Sequence, residues 1–127
     1  MAITHVTAVR NSLANLVVDA IDLGSADSTG DLIIMTSGDV EVATLVFLNP
    51  AFGAAGSGTS TANAITSDTS ATGGTAALFK IQDRDNAEIF RGTVTATGGG
   101  GDIELSSVSI GASDTVAISS FTYTAPN

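Results

Sequence analysis

The segment TAALFKIQDRDNAEIFRGTVT, residues 75–95, decides the fold class. Thr75 to Gln82 reads as a strand. Asp83-Arg84-Asp85-Asn86 reads as the turn that ends it, and Ala87 to Thr95 as the returning strand. Asp and Asn suit such turns because their short polar side chains bond the local backbone and tolerate positive φ. The same punctuation continues downstream. Gly98 to Gly101 is a four-glycine loop free to take positive φ. Asp102 to Ile110 and Thr115 to Thr124 then form a final pair of strands around Gly111-Ala112-Ser113-Asp114. In the last of these, Val116, Ile118, Ser120, Thr122 and Thr124 alternate with Ala117, Ser119, Phe121 and Tyr123.

Upstream, Asp31 to Thr36 is a short apolar run and Ser37-Gly38-Asp39 a turn signal. Val40 to Leu48 follows, with Val40, Val42, Thr44, Val46 and Leu48 on one face. Leu45 and Phe47 make its second half apolar on both faces, as in a central strand. Asn49-Pro50 ends it, because Pro has no N–H for a ladder. Residues 51–74 are the least structured part, nearly all Gly, Ala, Ser and Thr, with Asn63 to Thr66 as one strand-like island. They read as an excursion able to lie flat on a neighbour.

Residues 6–23 carry the only helical periodicity. Val6, Val9, Leu13, Leu16, Val17, Ala20 and Ile21 recur at three- and four-residue spacing, and Arg10, Asn11, Asn15, Asp19 and Asp22 fall largely on the other side. Thr7 is placed to cap the start, and Gly24 stands where a C-terminal glycine belongs. The stripe is read as covering one face of a sheet, with a subunit interface as the less favoured use. The expected fold is mainly β: an antiparallel β-sandwich or barrel of six to seven strands with one N-terminal helix. Residues 1–127 form a single β-rich domain with a short N-terminal arm of about residues 1–6.

Ala, Thr, Ser and Gly supply 64 of the 127 residues, so few side chains are left for chemistry. There is one His (His5), one Lys (Lys80), one Tyr (Tyr123), no Cys and no Trp. No catalytic residue, cofactor or metal ligand set is expected, and the chain is not expected to be an enzyme. Asp83, Asp85, Asn86 and Glu88 put oxygens at near-alternate positions, as in a fragment of a calcium loop. The loop glycine and distal Glu are missing, so a plain hairpin turn is the better reading. The four-glycine loop leads into a strand and not a helix, which argues against a phosphate cradle. His5 has no second His or Cys beside it in sequence and lies in the arm, so it is read as solvent-facing.

The net charge is −9, from 13 acids against four bases. Arg10, Lys80, Arg84 and Arg91 are too few and scattered to track phosphates, so neither nucleic acid nor an anionic membrane is an expected partner. The acids are read as keeping an apolar-rich chain soluble. The N-terminus lacks a signal-peptide pattern, no apolar run reaches bilayer length, and there is no disulfide framework, so the default is a cytosolic product. With only six aromatics the core is modest, which favours burial at a subunit interface and hence an oligomer.

Six segments taken together resemble small virion structural proteins of tailed bacteriophages. They are Leu13 to Ile21, Gly30 to Met35, Thr44 to Gly53, Ala62 to Ala71, Gly74 to Phe79 and Val116 to Tyr123. The resemblance spans nearly the whole chain and rests on motifs dominated by Ala, Thr and Gly. It implies a capsid decoration, or cement, protein. Such a protein is β-rich and commonly trimeric, and it binds the major capsid protein on the exterior of the virion after synthesis in the host cytoplasm. A tail or head-fibre component is the alternative, and a glycan-binding module or enzyme is disfavoured. The residues expected to meet the partner are Ala2, Ile3, Thr4 and His5 in the arm, and Phe52, Gly53, Gly56, Gly58, Thr59 and Asn63 in the excursion.

Overall fold

In the computed structural model, which describes residues 3–126, the hairpin at the centre of the sequence is also the centre of the fold. Its strands are β5 (Leu78–Gln82) and β6 (Glu88–Ala96). The other elements are α1 (Thr7–Ala20), β1 (Asp31–Met35), β2 (Glu41–Val46), β3 (Thr59–Thr61), β4 (Gly74–Thr75), β7 (Ile103–Leu105), β8 (Ser109–Ile110) and β9 (Thr122–Thr124). A five-stranded sheet runs β2-β1-β5-β6-β7, and two short ribbons pair β3 with β9 and β4 with β8. The chain is thus mainly β with one N-terminal helix, a curled sheet and smaller sheets in a sandwich- or barrel-like arrangement.

Register explains the core. Antiparallel pairing sets same-face residues opposite one another. One transverse row is Leu45, Leu32, Ile81 and Phe90; the next is Ala43, Ile34, Phe79 and Gly92. All of the first row except half-buried Phe90 is buried, as are Ala43, Ile34 and Phe79. The intervening row of Thr44, Ile33, Lys80 and Arg91 faces the other way. Gly92 is required in its row: a Cβ there would lie 2.5 Å from Phe79 Cε1 and 2.8 Å from Asp102 Oδ2.

The five Phe and one Tyr form one connected cluster. Phe47 meets Phe52 at 5.8 Å, Phe52 meets Phe121 at 6.0 Å, and Phe121 meets Phe79 at 5.6 Å. Phe90 joins Phe79 at 6.3 Å and Tyr123 at 5.4 Å. Edge-on and tilted contacts at these distances are the favoured aromatic geometries. The few large side chains are therefore concentrated at one place where the sheet meets the β3–β9 ribbon.

Three features differ from the sequence reading. Asp102 to Ile110 and Thr115 to Thr124 do not pair with each other. β7 runs parallel to β6, β8 joins β4, β9 joins β3, and Val116 bridges Asp68. The parallel β6–β7 step is made by the four-glycine loop, which folds back onto Thr95. A Cβ on Gly99 or Gly101 would come within 2.7 or 2.9 Å of the Thr95 side chain. Glu104 accepts hydrogen bonds from Gly98 N and Gly100 N at 3.3 and 3.0 Å and fixes the loop.

Second, residues 51–74 are bonded along most of their length. They carry β3, and Thr66, Asp68 and Gly73 bond Val46, Thr44 and Val42 along the outer edge of β2. That edge is consequently covered, which removes a site for strand addition. Third, Val6, not Thr7, occupies the N-cap of α1, with no side-chain cap.

Candidate partner-binding surface

Helix α1 turns its polar side inward. Asn11 Oδ1 accepts from Gly58 N at 2.7 Å, Asn15 Oδ1 from Ala55 N at 2.8 Å, and Asp22 Oδ1 from Ala51 N at 3.0 Å. Arg10 lies over Gly58, where a Cβ would sit 2.6 Å from its Cζ, and its Nη2 donates to Ala125 O at 3.4 Å. The physical reason is supply and demand for hydrogen bonds. The 51–58 segment has backbone donors and almost no polar side chains, and the helix has acceptors at three- and four-residue spacing. Small residues let the two backbones approach closely.

Only Ala14, Val18 and Ile21 of the helical region are buried in the body. The apolar stripe expected to face a sheet is split: Ile21 is buried, Leu13, Val17 and Ala20 are half-buried, and Val6, Val9 and Leu16 are outside. Val6 is 70% exposed, Val9 43%, Leu16 72% and Leu23 64%. Ile3 in the arm is likewise 58% exposed.

The residues expected to contact a partner divide into three groups. Ala2 lies outside the described residues. Ile3, Thr4, His5, Gly53, Gly56 and Asn63 are on the surface. Gly56 belongs to a tight turn with reciprocal 2.9 Å bonds to Thr59, and Asn63 Nδ2 donates to Pro50 O at 2.9 Å. The remaining three are engaged inside the fold. Phe52 is a core residue, 5% exposed, because it bridges Phe47 and Phe121. Gly58 is buried beneath Arg10. Thr59 is half-buried and shares a 2.9 Å hydroxyl hydrogen bond with Thr124. Sequence reasoning missed Arg10, Asn11 and Asn15 as the clamp on this excursion. It placed Leu16 in a stripe read as sheet-facing, with a subunit interface as the less favoured use, and left Leu23 out of that stripe.

The acids do more than solubilise. Asp22, Asp68, Asp83, Asp85, Asp102, Glu104 and Asp114 each accept hydrogen bonds from backbone N–H groups. Asp85 accepts from both Ser25 N and Ala26 N at 2.9 Å and thereby ties the hairpin turn to the chain after the helix. These two bonds, with Arg84 nearby, hold its carboxyl below the usual range. Asp83 Oδ1 accepts from Asp85 N and Ala87 N, so the segment that resembles a calcium-loop fragment is a side-chain-braced turn. Arg91 pairs with Glu88 at 2.7 Å and with Asp39 at 3.2 Å, and Arg91 lowers the Glu88 carboxyl. Burial raises Asp22 and Asp31; Asp19 adds to the first and Asp27 to the second, while the Ala51 N–H bond partly offsets the rise in Asp22.

Two shallow grooves adjoin at Asp102, Phe121 and Thr122, of about 330 and 310 Å³. The larger is walled mainly by Ser, Thr and short apolar residues. The smaller has Phe90 and Tyr123 at its side, with Arg91 already ion-paired. No grouping of three or more metal-ligating side chains occurs among the described residues. His5 makes no side-chain hydrogen bond among them, and it is exposed. No described helix is long and apolar enough to cross a membrane. The chain matches no family model, and no characterised protein or solved structure is significantly similar to it.

Proposed function

We propose that this protein is a structural virion component, a decoration subunit that binds the outside of a phage head and stabilises contacts between major capsid subunits. The observation that carries the reading is the internal commitment of its polar side chains. Seven carboxylates and two helix amides bond the protein's own backbone. Much of what remains outside is main chain, methyl groups and hydroxyls, with exposed apolar side chains at Ile3 and along the helix. Such a surface suits many weak contacts repeated over a lattice, where avidity supplies the strength. The contact set is the arm residues Ile3, Thr4 and His5 with the exposed rim at Gly53, Gly56 and Asn63. The subunit carries out no chemistry in this role.

Co-sedimentation of the purified protein with isolated heads and isolated tails of the virus that encodes it tests this. Binding to heads, lost on Ile3→Asp with an unchanged melting temperature, supports it. Binding to tails alone favours the tail reading, and binding to neither removes both.

A further inference from the structure

We infer that the outer face of α1 is a self-association seam, on which a second copy of this chain packs its own α1 in the antiparallel sense. The inference concerns the free protein in solution and does not depend on the capsid reading.

The first observation is spacing. Val6, Val9, Leu13, Leu16, Ala20 and Leu23 follow one another at intervals of three, four, three, four and three. That is an unbroken heptad seam, the narrow repeat of helix pairs and not the wider face of a helix resting on a sheet. Leu23 lies past the end of α1, but its N–H still bonds Ala20 O, so the helical course continues to it. The second observation is that the body uses little of this seam: Leu13 and Ala20 are half-buried at its side, and the other four seam residues are exposed. Ala14, Val18 and Ile21 already supply the face that packs inward, and the seam residues Val6, Leu16 and Leu23 are each more than three-fifths exposed.

The third observation is charge, and it selects the partner. The first turn of α1 has no acid and the last turn no base. Asp19, exposed, sits at the negative end of the helix dipole, the reverse of what one isolated helix favours, whereas Arg10 and Asp22 are turned to the protein's own 51–58 segment. An antiparallel copy places each exposed Asp19 end beside the partner helix's positive N-terminal end, which has no acid of its own, so the two helices correct each other. A parallel pair or three-fold bundle gathers like ends and does not. The seam is also complementary to itself when reversed. A two-fold axis between positions 14 and 15 sets Val6 against Leu23, Val9 against Ala20 and Leu13 against Leu16, each pair then repeated by symmetry. Large side chains meet each other at the centre, and Val9 meets the small Ala20.

The test is sedimentation equilibrium of the purified chain with three variants. Wild type forms a dimer. Leu16→Asp removes two exposed leucines from one interface, so the dissociation constant rises at least about 100-fold. Its thermal melt at dilution, where both proteins are monomeric, matches wild type because Leu16 makes no core contact. Ala8→Glu, on an exposed position off the seam, keeps the dimer. Orientation is read by crosslinking, which is clean because the chain has no native Cys. A mixture of Val6→Cys and Leu23→Cys chains forms the mixed disulfide, and Leu23→Cys alone does not link to itself. A wild-type monomer at 100 µM, an unchanged Leu16→Asp dimer, or a self-linked Leu23→Cys species each overturns the inference.

Discussion

Replacing Asn11 by Ala separates two pictures of the helix by the sign of the effect. On a solvent-facing position the change removes a weak helix former and stabilises by roughly 0.5 kcal/mol. Here Asn11 Oδ1 is 2.7 Å from Gly58 N, and Gly58 is buried. Loss of the acceptor leaves a buried donor without a partner, a cost of about 1–3 kcal/mol. The propensity gain offsets part of this, leaving a net destabilisation of about 0.5–2.5 kcal/mol. At roughly 3–5 °C per kcal/mol for a chain of this size, the melting temperature falls by several degrees. Ser12 is the internal control. It is exposed and bonds only back to Ala8 O, so Ser12→Ala gives the small gain expected of a surface position. Thermal unfolding followed by far-UV circular dichroism, repeated in urea, reads both. If Asn11→Ala is as stabilising as Ser12→Ala, the inward-facing clamp does not exist in solution.

Phe121→Ala removes the ring that joins Phe52, Phe79 and Phe90, and urea unfolding is expected to show a loss of about 3–5 kcal/mol; a loss under 1 kcal/mol contradicts the cluster. Gly92→Ala drives a Cβ into the buried Phe79 ring and costs about 1–3 kcal/mol. A double-mutant cycle with Phe79→Leu is expected to recover much of that cost, and strict additivity refutes the steric account. Asp31→Asn is expected to raise the melting temperature at pH 7. Burial and Asp27 raise the folded pKa of Asp31, so its charged form is the destabilising one above that value. Stability contributed through this group therefore rises as pH falls through the folded pKa, and the advantage of Asn disappears below the unfolded value near 3.9. A variant whose advantage is the same at pH 3 and pH 7 excludes this origin.

The central hairpin was legible because two local signals agree there, strand composition in residues 78–82 and 88–96 and turn chemistry at Asp83 to Asn86. The helix was legible from its three- and four-residue periodicity, although Thr7 is not its cap and it ends at Ala20. Its orientation was not. Asn11 and Asn15 read as solvent-facing by polarity, and the backbone they serve at Ala55 and Gly58 lies 40 and 47 residues away. Pairing in the C-terminal third was equally hidden. The alternation around Val116 to Thr124 predicts a strand but not its partner, and proximity in sequence favoured 102–110 where the fold uses Thr59 to Thr61. The arm and loop rim were identifiable as surface, but Phe52 was not separable from them. Only the other rings, brought together by the sheet, show that it is core.

The β3–β9 ribbon joins residues whose hydroxyls meet across 65 positions, at Thr59 and Thr124. It also holds Phe121, whose carbonyl accepts from Ala62 N, against the remaining rings. The core is thus closed by a segment far along the chain from most of the rings it covers. Such pairings have high contact order, because a long loop must be ordered before any contact rewards it. Folding is expected on the millisecond-to-second scale of β proteins and not the microsecond scale of helical bundles. A nascent chain that has not yet released residues 121–124 holds a formed hairpin over an open aromatic cluster, the state most exposed to aggregation. In this protein the core stays open until residues 121–124 are in place.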